Sequence, residues 1–479
     1  MKRSSFAAAL LLVTAFPAVA QDASLQQRVE AELAKAEAGT RFGLVVADEA
    51  GHELVAVNPD QRFIPASNTK MFTTAAAFAT LPDMNQPDTR GGAAVRIEGG
   101  DVILVGNGDA RLSGAAGCTT DCLATLADAV AAKTHRVRNV VGDDSLFPDQ
   151  RWGPGMSWNN IQTRSGTATS ALTIDDNELS LMVTPGAVGA APKVEGPAYF
   201  TIDNRAATVA SGKTDLAFDR APNTMALRIT GTIAAGAEPE KLRLGIDDPA
   251  HYAAWQLEHL LDARGVRVTG EVQSRHRLAG PGDDPEKRKG TPPARLPEQP
   301  VLARLTPPPL AEDMIHTNKV SQNLHAELAL RRVGLEAGSG SIADGQAQVH
   351  AMLERAGVPR HAYDFSDGSG MSSYNRVSPR GTVTFLRWVA AQPWGAQWRA
   401  TLPVGGVDGT IANRFKGTPL EGKVFAKTGT LNASNALSGY LIAKSGRTLT
   451  FSALANDMPA DTSATKFVDA ALVVVAEAN

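Results

Sequence analysis

The chain has 479 residues, 43% apolar and 20% charged. That balance supports a large buried core and excludes a wholly disordered chain, a collagen and a polytopic membrane protein. The 47 basic and 50 acidic residues leave a formal charge of -3, and aromatics are 5%, so nothing favours phosphate binding or base stacking and nucleic acid is excluded as the main partner.

At roughly 150 residues per domain the length suggests about three domains. The chain opens Met1-Lys2-Arg3, continues with an apolar run from Phe6 to Phe16, and reaches Ala18-Val19-Ala20 before Gln21. A basic start, a short apolar stretch and an A-x-A site read as a secretory signal cleaved near Ala20. The run is too short for a bilayer span, and no later stretch is long enough. Export implies an oxidising compartment, and Cys118 and Cys122, the only two cysteines, are expected to form one small local disulfide.

Next, Leu25, Val29 and Leu33 recur at helical spacing within residues 24–37. Residues 42–48 and 53–58 read as two strands joined by a turn. Pro65-Ala-Ser-Asn-Thr-Lys opens an apolar helix running to about Leu81. Residues 86 to about 303 are richer in strand signals (94–98, 101–105, 179–183, 226–230) separated by Gly and Asn turns. A helix is predicted over 249–264. Residues 280–309 are rich in Pro, Gly and charge and read as a linker or surface loop. Helical texture returns over Leu310 to Val333, 344–356 and 379–392. Strands are predicted near 423–427, 436–443 and 448–455, with a last helix over 464–476. The fold class is α/β in the mixed α+β sense.

Three short motifs stand out. Ser67-Asn-Thr-Lys70 places a hydroxyl and an amine three apart, on one helix face, at a helix start where free N–H groups favour negative charge. A desolvated lysine there can act as a base. Ser321-Gln-Asn323 supplies a hydroxyl for a proton relay and an amide for a substrate carbonyl or a lysine. Lys427-Thr428-Gly429, followed by Thr430, offers a cation and hydroxyls for a carboxylate, with a glycine that admits close backbone approach. Each alone is weak, because a helix cap, a polar turn and a strand end explain them equally well. In this order in one exported chain they are specific: the trio is a signature of serine enzymes that react with penicillin. The first two motifs lie 254 residues apart and the last two 106, and the first gap is far longer than in class A β-lactamases.

That spacing resembles the class C low-molecular-mass penicillin-binding proteins, the D-alanyl-D-alanine carboxypeptidase/endopeptidase family. Further matching segments are Gly108-Asp109-Ala-Arg-Leu (with Ala110 where the family usually has proline), Pro307-Pro-Pro-Leu, Asp367-Gly-Ser-Gly-Met-Ser with Asn375, Leu402-Pro-Val-Gly-Gly and Ala426-Lys-Thr-Gly-Thr-Leu. Gln322 stands where Asp is more usual. The resemblance implies a serine β-lactamase/transpeptidase-like domain, an antiparallel sheet with helices, formed by 21–85 and 304–479. It implies an inserted second domain (86–179 and 246–303) and a β-rich third domain nested within it (180–245).

It also implies a periplasmic serine DD-peptidase acting on peptidoglycan stem peptides through an acyl-serine intermediate, with β-lactam antibiotics as covalent inhibitors. Ser67 is the expected nucleophile and Lys70 its base, with Asn323 positioning the substrate amide and Ser321 passing a proton to the leaving amine. Lys427, Thr428, Gly429 and Thr430 form the carboxylate side. Asp175 resembles an acidic residue that reads the stem's free amino group, although an Asx turn explains it as well. No cofactor is implied. The nine histidines show no H-E-x-x-H pattern and no G-x-S-x-G elbow is present, so no metal is called for. A serine β-lactamase, a non-catalytic wall-binding module and a general secreted peptidase or esterase are the rival readings. A peripheral membrane or homo-oligomer contact is left open.

Overall fold

The computed structural model describes residues 23–479 apart from Gly290 and Leu296. The signal segment therefore lies outside the described residues. Two distant parts of the chain build the sheet that holds the three motifs. Its five strands run, in order, Val424–Leu431, Ser434–Ile442, Thr448–Asn456, Arg41–Ala47 and Glu53–Val57, all antiparallel. The middle strand, Thr448–Asn456, is buried along nearly its whole length. Its apolar and small residues do not alternate with polar ones, because helices cover both faces of the sheet and leave no side for water.

On one face the terminal helices Leu25–Leu33 and Thr465–Ala478 pack on each other and on the sheet. Leu25, Val29 and Leu33 supply the contact stripe, as their spacing predicts. On the other face lie the helices Thr69–Thr80, Leu310–Lys319, Asn323–Ala337, Ile342–Arg355 and Pro379–Ala390. Phe72 sits at the centre, stacked on Phe385 at 4.3 Å and tilted against Phe365 at 4.8 Å. Each such fully buried ring is worth about 1.5–3 kcal/mol. The helix Thr69–Thr80 is buried from Thr69 through Phe78, so the element that carries the first motif is a core helix and cannot shift without disturbing the core.

Between residues 94 and 304 the chain forms a second, mixed sheet in the order Val272–Arg277, Val140–Pro148, Asp101–Val105, Ala94–Glu98, Ala303–Arg304. The helices Leu123–Lys133 and Pro249–Asp262 share its core. Glu178–Thr184 pairs with Glu240–Gly245 and Lys193–Glu195, and a four-stranded sheet over residues 201–234 lies between them in sequence. Cys118 and Cys122 are disulfide-bonded beside the helix Leu123–Lys133. Among the described residues no helix is long and apolar enough to cross a membrane.

One expected element is broken. Leu310 to Val333 is not continuous: the helices Leu310–Lys319 and Asn323–Ala337 are separated by Val320, Ser321 and Gln322. Ser321 has φ +62°, and the Gln322 side chain caps the second helix at Leu324 N. A left-handed non-glycine residue costs on the order of 1–3 kcal/mol. That break turns Ser321 and Asn323 out of the helical stack.

Candidate active site

Ser67 sits on a single 3-10 turn, Ala66–Asn68, that runs into the helix Thr69–Thr80. The preceding Ala66 takes φ +48°. Asn68 fixes the turn from the other side, its Nδ2 donating to the Lys427 carbonyl at 2.7 Å. The turn and the strand Val424–Leu431 are thereby tied directly. Gly429 makes the close approach possible: a Cβ there would lie 2.3 Å from the Pro65 carbonyl oxygen.

Lys70 is fully buried. Its Nζ lies 2.9 Å from Ser67 Oγ, 2.6 Å from Asn323 Oδ1 and 2.6 Å from the Ser369 carbonyl oxygen. Burial lowers its pKa to about 7, against the pull of the Asp367 and Glu327 carboxylates. A neutral amine has two N–H bonds. The Asn323 amide oxygen and the Ser369 carbonyl only accept, so they take both, and the lone pair is left facing Ser67 Oγ.

The loop that supplies the Ser369 carbonyl is held by two buried carboxylates. Glu327 accepts from Gly368 N (3.0 Å) and Ser369 N (2.8 Å), and burial with the nearby Asp367 raises its pKa to about 6. Asp367 accepts from Gly370 N, Ser372 N and Asn375 Nδ2 at 2.6–2.9 Å. The inserted part of the chain touches this assembly directly, at Ser165 and Pro154 among other points. Asn323 Nδ2 donates to the Ser165 carbonyl at 2.8 Å, and Ser372 Oγ donates to the Pro154 carbonyl at 2.6 Å.

Lys427, also fully buried, donates to Ser321 Oγ and to the Thr428 carbonyl, each at 2.9 Å. Burial holds its pKa well below the usual lysine range, and the charge of Lys70 lowers it further. Thr428 Oγ1 lies 2.7 Å from Thr410 Oγ1. Asp408 steadies the segment that carries Thr410, accepting from Lys319 Nζ and Val404 N. Ser67, Ser321, Thr428, Gly429 and Thr430 line one cavity of about 380 Å3, together with Thr410, Arg414 and Asn435.

Six of the expected site residues (Ser67, Lys70, Ser321, Asn323, Lys427, Thr428) are thus joined by two short hydrogen-bonded chains, and Gly429 and Thr430 complete the cavity wall. Asp175 is not brought to it. Its carboxylate accepts from Ser113 Oγ (2.9 Å), Gly114 N (3.1 Å) and Gln256 Nε2 (3.3 Å) and lines a different cavity. Those internal donors place it as the acceptor of a turn. Sequence reasoning assigned no part to Glu327, Thr410 or the Ser165 and Ser369 carbonyls. Glu327 left a signal, a carboxylate between Ala326 and Leu328 in an otherwise apolar helix stretch. Backbone carbonyls leave none.

A family model described as the D-Ala-D-Ala carboxypeptidase 3 (S13) family matches residues 25–479. The chain is 34% identical over 444 residues to a D-alanyl-D-alanine carboxypeptidase of an Actinomadura species, a match covering 87% of this chain and 78% of that one. It is 25% identical over 434 residues to D-alanyl-D-alanine carboxypeptidase DacB of Haemophilus influenzae, covering 86% and 85%. The crystal structure of penicillin binding protein 4 (dacB) from Haemophilus influenzae superposes with a TM-score of 0.76 at 22% identity, over 93% of this chain and 97% of that one, which shows a shared fold. The chain belongs to the D-Ala-D-Ala carboxypeptidase 3 (S13) family and is a serine-type peptidase of that class.

Proposed function

We propose that the chain is an exported serine DD-peptidase that cleaves the D-Ala-D-Ala end or cross-link of peptidoglycan stem peptides, and that β-lactams acylate it at Ser67. The observation that carries this reading is the Lys70 amine, fully buried, with its two acceptors and Ser67 Oγ all within 2.9 Å. A pure binding pocket has no use for a desolvated base aimed at a hydroxyl.

In this reading Lys70 takes the Ser67 proton as Oγ attacks the carbonyl between the two D-alanines. The backbone N–H groups of Ser67 and Thr430 hold the oxyanion, since Gly429 lets the strand lie against the Ser67 turn; one such donor is worth about 2.7–4 kcal/mol. Ser321, bonded to Lys427, returns a proton to the leaving amine. Asn323 orients both Lys70 and the substrate amide. Lys427, Thr428 and Thr430 receive the terminal carboxylate. Water then releases the peptide from Ser67. The insert, in two segments (86–179 and 246–303) around a nested unit (180–245), holds Asn323 through Ser165.

The test is release of free D-alanine from a peptide ending in D-Ala-D-Ala, run beside cleavage of a cross-linked dimer. Turnover of at least one, absent in Ser67→Ala, supports the reading. Failure of both substrates with a folded wild-type enzyme would sink it.

A further inference from the structure

Beside the Ser67 cleft the chain has a second cavity of about 400 Å3, lined in part by Asp121, Asp176, His316 and His325. The two are linked through Gln322, whose Nε2 donates to Asp176 Oδ2 at 3.0 Å. Asp176 comes from the inserted part of the chain. His316 lies in the last turn of the helix Leu310–Lys319, and His325 in the first turn of the helix Asn323–Ala337. These three residues each offer one donor atom, and the three atoms lie within 4.8 Å of one another.

The arrangement has the features of a built site. His325 is buried, and its Nδ1 lies 2.6 Å from Asp313 Oδ1. A carboxylate on that nitrogen fixes the ring so that Nε2 faces the cluster, as metal-ligating histidines are usually held. Nε2 lies 2.8 Å from Asp176 Oδ1. The His316 ring stands 4.9 Å from that of His325 and makes no hydrogen bond among the described residues. Asp121, 8% exposed, lines the same cavity and is paired with the buried Asp109, whose carboxyl is held well above the usual range by burial and by the Asp121 charge. Two imidazoles, one carboxylate and an outer carboxylate behind one imidazole form a donor set suited to zinc. A tetrahedral Zn2+ holds such donor atoms about 3.3 Å apart. The short edge needs to open by about half an ångström and the others to close by no more than about 1.5 Å, and Asp176 and His316 are both partly exposed.

We infer that Asp176, His316 and His325 bind a divalent transition-metal ion, Zn2+ by the nature of the donors, with its fourth position open to the second cavity. The ion joins the insert to both helices that flank Ser321 and so fixes the Ser321–Asn323 turn from behind. It takes no part in acyl transfer at Ser67.

The test uses the mature protein, stripped with a chelator, dialysed against Zn2+ and assayed for bound metal and thermal midpoint. About one Zn2+ per chain is expected, with a midpoint that rises on loading. His316→Asn should lose the bound ion and the rise while keeping the metal-free midpoint, because the ring is unbonded in that state. Asp313→Asn should weaken binding by ~10–100-fold. Asp176→Asn should likewise lose the bound ion and the rise on loading, but from a lower metal-free midpoint, because Asp176 holds His325 and Gln322 in that state. Wild-type protein that retains no stoichiometric Zn2+, or that binds it no better than the His316 and Asp176 variants, overturns the inference and leaves the cluster as a His325 ion pair between two aspartates.

Discussion

Lys70 decides the pH range in which Ser67 reacts. A lysine in water stays protonated to about pH 10.4, and a protonated amine has no lone pair for the serine proton. Burial brings this one to about 7. Because the neutral form is the active one, acylation by a penicillin should rise ~tenfold per pH unit on the acid side and level off above about pH 7. Stopped-flow acylation between pH 5.5 and 9 reads this directly; a flat profile, or a rise that continues to pH 10, would contradict it. Glu327 gives the complementary prediction. Its carboxylate stabilises the charged lysine, so Glu327→Gln should move the midpoint of that profile to lower pH. A shift to higher pH would show that Glu327 acts on Lys70 in some other way.

At the scale of elements, the site depends on a contact between a turn and a strand. Gly429 lies so near the Pro65 carbonyl that a methyl group meets it at 2.3 Å. Gly429→Ala must push the strand away from the Ser67 turn, and a displacement near 1 Å at a reacting centre costs about 100-fold. Acylation should fall by that order while the far-ultraviolet spectrum is unchanged; an unaffected rate would mean that the strand does not set the Ser67 geometry. The elements themselves were largely legible. Patterning located the sheet strands, the terminal helices and the start of the Ser67 helix to within a few residues. It failed at Ser321, where the apolar period continues across 310–333 and only a left-handed serine interrupts it. Propensity carries no signal for that conformation, in which Ser321 meets Lys427 from the distant strand Val424–Leu431. Asp175 shows the opposite limit: its neighbour Asp176 lines the same cavity but pairs with His325, whereas Asp175 accepts from Ser113, and a one-residue register is invisible without coordinates.

At the scale of the molecule, parts of the chain more than 250 residues apart meet at Lys70, and the core beneath them is continuous. Trp398 is fully buried there, its Nε1 donating to Thr74 Oγ1 at 3.0 Å on the Ser67 helix, and Asn318 Nδ2 bonds the same hydroxyl at 3.1 Å. Trp398→Ala should cost about 3–5 kcal/mol, read as a lower midpoint in urea; a loss under 1 kcal/mol would show that the core relaxes around the gap. The Cys118–Cys122 disulfide closes a loop of only a few residues. Its removal by a double Cys→Ser change should cost no more than about 2 kcal/mol and leave acylation intact, since the loop lies outside the Ser67 cavity. Motif order and spacing were readable at this scale because three short sequences must converge for the chemistry to work. The hidden contributors, the Ser165 and Ser369 carbonyls, belong to backbone geometry and have no side-chain code.

The central claim is that Ser67 is a nucleophile activated by Lys70. Intact-mass analysis of the mature protein after incubation with a penicillin tests it most directly. The account predicts one adduct of the full antibiotic mass on the wild-type chain, long-lived relative to acylation, and none on Ser67→Ala. A wild-type chain that stays unmodified while folded, or an adduct that persists in Ser67→Ala, contradicts it.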